Sequence, residues 1–205
     1  MSISPTTQHA LEKLVSVASG LMHEYGFYLA GGTALALQLN HRTSYDLDIF
    51  SPQAFEAMTL QQRLQQLLPA GSQWQTSHET VRFQLDGVEV SFFGYHHPLI
   101  GDLVTHPAIP LASVADIGCM KVTAAADRAL YRDFFDIYHI CLSLGGLKTL
   151  MQFFEKKYPQ SSVYHYVKSL SLVSDCVDEP PLATVKPIHP EAIKAYLLNE
   201  LKNFL

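Results

Sequence analysis

At 205 residues, with 48% of them apolar and 16% charged, the chain is long enough for one large domain or two small ones, and its composition excludes disorder, collagen and coiled coil. The net charge of −5 is uneven, because residues 1–120 carry 4 basic and 10 acidic side chains whereas residues 121–205 carry 10 and 9. No polybasic tract is present, which disfavours constitutive duplex binding and leaves only a local patch for contact with RNA.

In chain order, Leu11, Leu14, Val15, Ala18, Leu21 and Met22 recur at helical spacing and predict an opening helix that stops at Gly26. "FYLA" then reads as a short buried strand running into Gly31-Gly32, and "TALALQL" as a short helix with Thr33 as its N-cap. "DLDIF" alternates polar and apolar and predicts a strand with one buried face. "QAFEAMTLQQRLQQLLP" predicts an amphipathic helix ended by Pro69. "SQWQTS", "TVRFQL" and "VEVSFF" predict antiparallel strands, the last two joined by an Asp86-Gly87 hairpin turn. Ser113 and Asp116 form a capping-box pattern that opens a long helix, continued by "RDFFDIYHICLSL" and broken at Gly145-Gly146. "KTLMQFFEKKY", "SSVYHYVKSLSLV" and "EAIKAYLLNEL" predict further helices. The expectation is an α+β core over residues 1–110 and an all-helical half over 111–205, as a single structural unit with a soft boundary.

Two features carry chemistry. Side chains at i and i+2 of a strand point the same way, so Asp46 and Asp48 share a face while Leu47 and Ile49 enter the core. Two adjacent carboxylates repel unless a cation neutralises them, and their hard oxygens suit Mg2+, with Mn2+ as a substitute. Gly31 and Gly32 lack a Cβ, so a phosphate can approach their backbone, and the N-terminus of the following helix favours an anion. The Thr33 hydroxyl can donate to a phosphate oxygen, and Arg42 flanks the same pocket. Taken singly, a Gly-Gly pair is a turn and an Asp-x-Asp a solvated edge; their order and distance favour function. Further along, Lys121, Ala125, Arg128 and Arg132 fall at four- and three-residue steps and predict one cationic helix face. That face either grips a triphosphate through Lys121 and Arg128 or is a solvated surface paired with Asp127, Asp133 and Asp136.

"GGTALALQLNHRTSYDLDIFS" resembles the signature of the polymerase-beta-like nucleotidyltransferase superfamily, and "ADIGCMKVTAAADRALYRDFFDIY" resembles the helical motif of its AbiEii/AbiGii-type branch, toxins of abortive-infection toxin–antitoxin pairs. The resemblance implies a small mixed sheet flanked by helices and Mg2+-dependent transfer of a nucleotidyl group from an NTP to a hydroxyl acceptor. It also implies RNA, tRNA especially, as acceptor and a cognate antitoxin as partner. Lys121 and Asp133 become the expected functional members of the helical motif, with Asp136 a brace. The superfamily places a third acidic residue on a neighbouring strand, where this chain aligns Ser91; Glu89, two residues earlier on the same face, is the candidate substitute.

The expected site is therefore catalytic Asp46, Asp48, Glu89, Lys121 and Asp133, metal-binding Asp46 and Asp48, and nucleotide-binding Gly31, Gly32, Thr33, Arg42, Lys121 and Arg128. Two rivals stay open: a small-molecule nucleotidyltransferase of the antibiotic-modifying kind, and a catalytically weak nucleotide- or partner-binding protein. The ten histidines form no HExxH or Cys/His cluster, and His96-His97 reads as loop. Cys119, Cys141 and Cys176 are widely spaced and read as buried thiols. No signal-peptide pattern and no stretch of roughly 20 apolar residues is present, so a cytoplasmic, non-membrane protein is expected.

Overall fold

The computed structural model describes residues 3–68, 71–176 and 182–204. The chain divides into two compact units, Met1–Pro98 with Asp102–Ala112, and Leu99–Gly101 with Ser113–Leu205.

The first unit is a sheet with helices. Helix α1 (Pro5–Glu24) is capped by the Ser4 hydroxyl, which accepts from the Thr7 amide, and it buries Leu11, Leu14 and Ala18. Strand β1 (Tyr28–Leu29) leads into α2 (Gly31–Leu39), and β2 (Leu47–Ser51) into α3 (Ala57–Leu67), where the Glu56 carboxylate accepts from the amides of Met58 and Thr59. The expected stop at Pro69 lies outside the described residues.

Strands β3 (Ser72–Ser77), β4 (Thr80–Leu85) and β5 (Val88–Gly94) follow, and the sheet order is β1-β2-β5-β4-β3. Among these strands only the β2–β5 pair is parallel. The β4–β5 turn has Asp86 at φ 52° and Gly87 at φ 83°, the left-handed pair that a two-residue hairpin demands. Alternation buries Leu47, Ile49, Val81, Phe83, Val90 and Phe92 on one face, whereas Asp48, Ser91 and Arg82 fall on the other. Segment 102–112 belongs to this unit because Leu29 and Leu111 are bridged, with the Ala112 amide donating to the Leu29 carbonyl at 2.9 Å.

The second unit is helical. Helix α4 (Val114–Arg128) starts at Ser113, whose hydroxyl accepts from the Asp116 amide, as the capping pattern predicts. Asp116 is fully buried and also accepts from the Lys157 ammonium at 2.7 Å and the amides of Ile100 and Gly101 at 2.9 and 3.1 Å. Burial by itself pushes its carboxyl up, but these donors outweigh that and hold it below the ordinary carboxylate value.

The helix expected to run unbroken from Ser113 to Leu144 is two. Ala129 caps α4 in the left-handed conformation (φ 48°), and α5 (Tyr131–Leu144) starts afresh. Arg132 therefore sits on a different helix from Lys121, Ala125 and Arg128, which corrects the single cationic face. Gly145 (φ 86°) ends α5, and α6 (Leu147–Lys157), α7 (Val163–Ser169), a 3-10 turn (Leu170–Ser174) and α8 (Pro190–Phe204) complete the unit. Cys119 and Cys141 are buried and their thiols pushed up to about 12, whereas Cys176 is only half-buried, against expectation. Among the described residues, no helix is long and apolar enough to cross a membrane.

Candidate active site

The glycine corner and the Asp-x-Asp strand meet. The Ala30 amide donates to the Asp48 carbonyl at 3.0 Å, which locks the start of α2 to β2. Gly31 takes φ +64°, and a Cβ there would collide with the Asp48 carboxylate. A Cβ on Gly32 would lie 2.5 Å from an Arg42 guanidinium nitrogen and 3.2 Å from the Ser44 hydroxyl. Both glycines are therefore required for close approach, Gly31 by an acid and Gly32 by a base. The first amides of α2 have no intrahelical acceptor, so they add anion-favouring dipoles at the same point.

Thr33 is placed differently from expectation. Helix α2 begins at Gly31, with Ala30 at the cap position, so Thr33 is the third helical residue and not the N-cap. Its hydroxyl is buried, donates to the Asp46 carbonyl and lies 2.9 Å from the Ser44 hydroxyl. It fastens the returning 40–46 segment to the helix. That bond, with Arg42 packed on Gly32, is how "NHRTSY" brings the aspartates back. Ser44 is a site-shaping residue that the sequence pattern did not single out.

Asp48 is half-buried and Asp46 exposed, just ahead of β2. In the parallel ladder Asp48 pairs with Ser91 and Leu47 with Val90. Glu89, inside β5, precedes Val90 just as Asp46 precedes Leu47, so both acids stand one position before the Leu47–Val90 pair. Ser91, not Glu89, is the register partner of Asp48; it is buried, whereas Glu89 is exposed. The antiparallel ladder then pairs Ser91 with Arg82 and Arg82 with Gln75. Arg82 thus stands on the same transverse row as Asp48, a neighbour visible only once strand register is known.

Asp46 and Asp48 are the residues suited to a divalent cation. Mg2+ is bound through one or two carboxylates with water and substrate phosphate completing its shell, and a half-buried acid two residues from an exposed one, next to the glycine corner, fits that use. Among the described residues, no group of three or more His, Cys, Asp or Glu side chains is arranged to hold a metal.

The helical motif closes on itself. Lys121 lies 2.9 Å from Asp133 and 2.7 Å from Asp136, and Arg128 grips Asp133 through two nitrogens at 2.7 and 2.9 Å. Asp133 and Asp136 are fully buried and Lys121 nearly so, while the Arg128 side chain keeps 46% of its surface exposed. Burial pushes the Asp133 carboxyl up, but the Arg128 hydrogen bonds and the Lys121 charge prevail and leave it below the ordinary carboxylate value. His96, read as loop, bonds Glu79 at 2.6 Å, and Trp74 of β3 stacks on Phe83 with ring centroids 4.1 Å apart.

The five-stranded mixed sheet, with the Asp48 carboxylate of β2 against the glycine corner, has the polymerase-beta-like fold of nucleotidyltransferases. Solved structures share that fold. JHP933 from Helicobacter pylori is 19% identical, with 98% of this chain and 92% of that one covered at a TM-score of 0.56. MenT4, a nucleotidyltransferase toxin from Mycobacterium tuberculosis, is 15% identical, with 97% and 84% covered at 0.55. An uncharacterized protein of Aquifex aeolicus, aq_aa25, is 34% identical over 203 residues, covering 94% of this chain and 96% of its own. The family model described as nucleotidyl transferase AbiEii toxin, type IV toxin–antitoxin system, matches residues 21–195, and the chain belongs to that family.

Proposed function

We propose that this nucleotidyltransferase moves a nucleotidyl group from an Mg2+-bound NTP to a hydroxyl of an RNA acceptor, tRNA being the favoured kind, and that a cognate antitoxin restrains it. The observation that carries the reading is the Asp48 carboxylate against Gly31, with Arg42 on Gly32, at the N-terminus of α2. Gly31, Gly32 and Arg42 would hold phosphate oxygens, and Thr33 would hold the loop that presents Asp46 and Asp48. Mg2+, when bound there, neutralises charge on the triphosphate. The acceptor oxygen bonds to the α-phosphorus, the α–β bridging P–O bond breaks, and pyrophosphate leaves. The acceptor proton passes to a base, for which Glu89 is the candidate. Lys121 and Arg128 remain assigned to the triphosphate by their motif, and Asp133 to orienting them.

A second reading, nucleotide binding with weak turnover, is favoured by one observation: the neutral, buried Ser91 is the register partner of Asp48. The test is labelling of total RNA with each of the four α-labelled NTPs in Mg2+, with EDTA as control. Label is expected on RNA with one preferred NTP, and Asp48→Ala is expected to lose at least about 10²-fold. Label appearing only on small acceptors would replace RNA with the small-molecule class. Nucleotide binding without any transfer would establish the second reading.

A further inference from the structure

The first unit contains four cations, Lys13, Arg42, Arg63 and Arg82. Lys13 pairs with Asp86 at 2.8 Å, Arg63 with Glu24 at 2.6 Å, and Arg42 is buried at the glycine corner. Arg82 differs from the others. It is exposed, and among the described residues no carboxylate lies within ion-pair distance of it. Its guanidinium carbon sits 5.5 Å from the centroid of the Phe93 ring, and Phe93 stacks on Phe50 with centroids 5.0 Å apart. A cavity of about 210 Å³ opens beside it, walled by Gln75, Thr76, Ser77, Thr80 and Arg82, a polar lining with one cation and no acid. At about 30 Å³ per water, that space holds about seven waters, which suits a solvated phosphodiester better than a whole drug-sized ligand.

Position gives the cavity its meaning. Arg82, Ser91 and Asp48 are consecutive partners across β4, β5 and β2. Strands lie about 4.8 Å apart, so Arg82 stands about 10 Å from Asp48 along the row. A stacked strand advances about 3.4 Å per nucleotide, so that separation spans about three nucleotides. An arginine over an aromatic ring, next to a second ring, is also the pairing that single-stranded nucleic acid uses for phosphate and base together.

We propose that Arg82, with the polar cavity beside it and the Phe93–Phe50 rings, is a subsite for the acceptor strand. It would hold a phosphodiester about three nucleotides from the hydroxyl that reacts near Asp48. The inference rests on the nucleotidyl-transfer reading and adds an acceptor track to it. It makes Arg82 a binding residue for single-stranded RNA and leaves NTP binding to the glycine corner.

The test is fluorescence anisotropy of the full chain with a labelled single-stranded RNA of about 12 nucleotides and a dinucleotide, beside calorimetric titration of Mg2+–NTP. Arg82→Gln is expected to weaken the long RNA about tenfold and to reduce its salt slope by about 0.7. Dinucleotide and NTP affinities should be unchanged, and Arg82→Lys should recover the salt slope. Equal RNA affinity and slope in Arg82→Gln would overturn the subsite, as would a loss that falls on NTP or on the dinucleotide. If wild type binds RNA through Arg82 yet labels none, the transfer reading fails and the subsite stands. If RNA is labelled and Arg82→Gln changes neither binding nor acceptor KM, the subsite fails and the transfer reading stands.

Discussion

The two units put the same residue types to opposite uses. In the helical unit Asp116, Asp133 and Asp136 are wholly buried and each meets Lys157, Lys121 or Arg128 at ion-pair distance. In the sheet unit Asp46 is exposed, its carboxylate meets no cation among the described residues, and Asp48 is half-buried with its carboxylate against Gly31. Burying an ion pair incurs a desolvation penalty that only close, saturated geometry offsets, so such acids hold the cations they meet in fixed positions. An acid left at the surface, as Asp46 is, keeps its affinity for an arriving cation.

The largest effect that separates the two regions is on folding. Asp116→Ala leaves Lys157 buried without its anion and should destabilise the chain by about 3–5 kcal/mol in urea unfolding. A loss below about 1 kcal/mol would remove the contrast. Replacing the pair together, Asp116→Leu with Lys157→Met, should recover most of that stability.

Next in size is a kinetic effect on the sheet side. Glu89→Gln is expected to lower single-turnover transfer about 10²-fold while NTP affinity and melting temperature hold. An unchanged rate would assign the position beside the metal pair to Ser91 and solvent.

The third test is pH. Asp116 and Asp133 have folded-state values depressed below the ordinary 3.8. Their stabilisation is therefore fully present above about pH 4 and is lost as pH falls through the depressed values. Circular dichroism should show the acid limb of stability below about pH 4, and Asp133→Asn should flatten it. The smallest effect is expected at the α4–α5 junction. Ala129→Gly relieves a left-handed alanine and should raise stability by about 1 kcal/mol. A fall in melting temperature would mean the strain is compensated there.

Local chemistry made much of this readable in advance. The Asp86-Gly87 turn, the period-two "DLDIF" and the Ser113–Asp116 cap each write their geometry into adjacent residues. The α4–α5 break did not show, because Ala129 is an ordinary helix former in a place where glycine would announce a stop. Thr33 looked like a cap because a Gly-Gly pair reads as a turn, whereas Gly31 is already helical and the hydroxyl is used on Asp46. The approach of Asp48 to the glycine corner was legible through spacing; the place of Arg82 in the same row was not, since it depends on pairing across three strands. The motif Lys121, Arg128 and Asp133 was legible as a cluster, but spacing alone does not show that its charges answer one another.

The hold of Asp116 on the Ile100 and Gly101 amides bears on how the chain can be divided. Three residues from the middle of the sequence are stitched to the helical unit while their neighbours on both sides belong to the sheet. A fragment cut off after Ala112 would carry away two of the donors that Asp116 depends on, so a single cut cannot yield the helical piece intact. A dissection that respects the weave has to graft Leu99–Gly101 back ahead of Ser113.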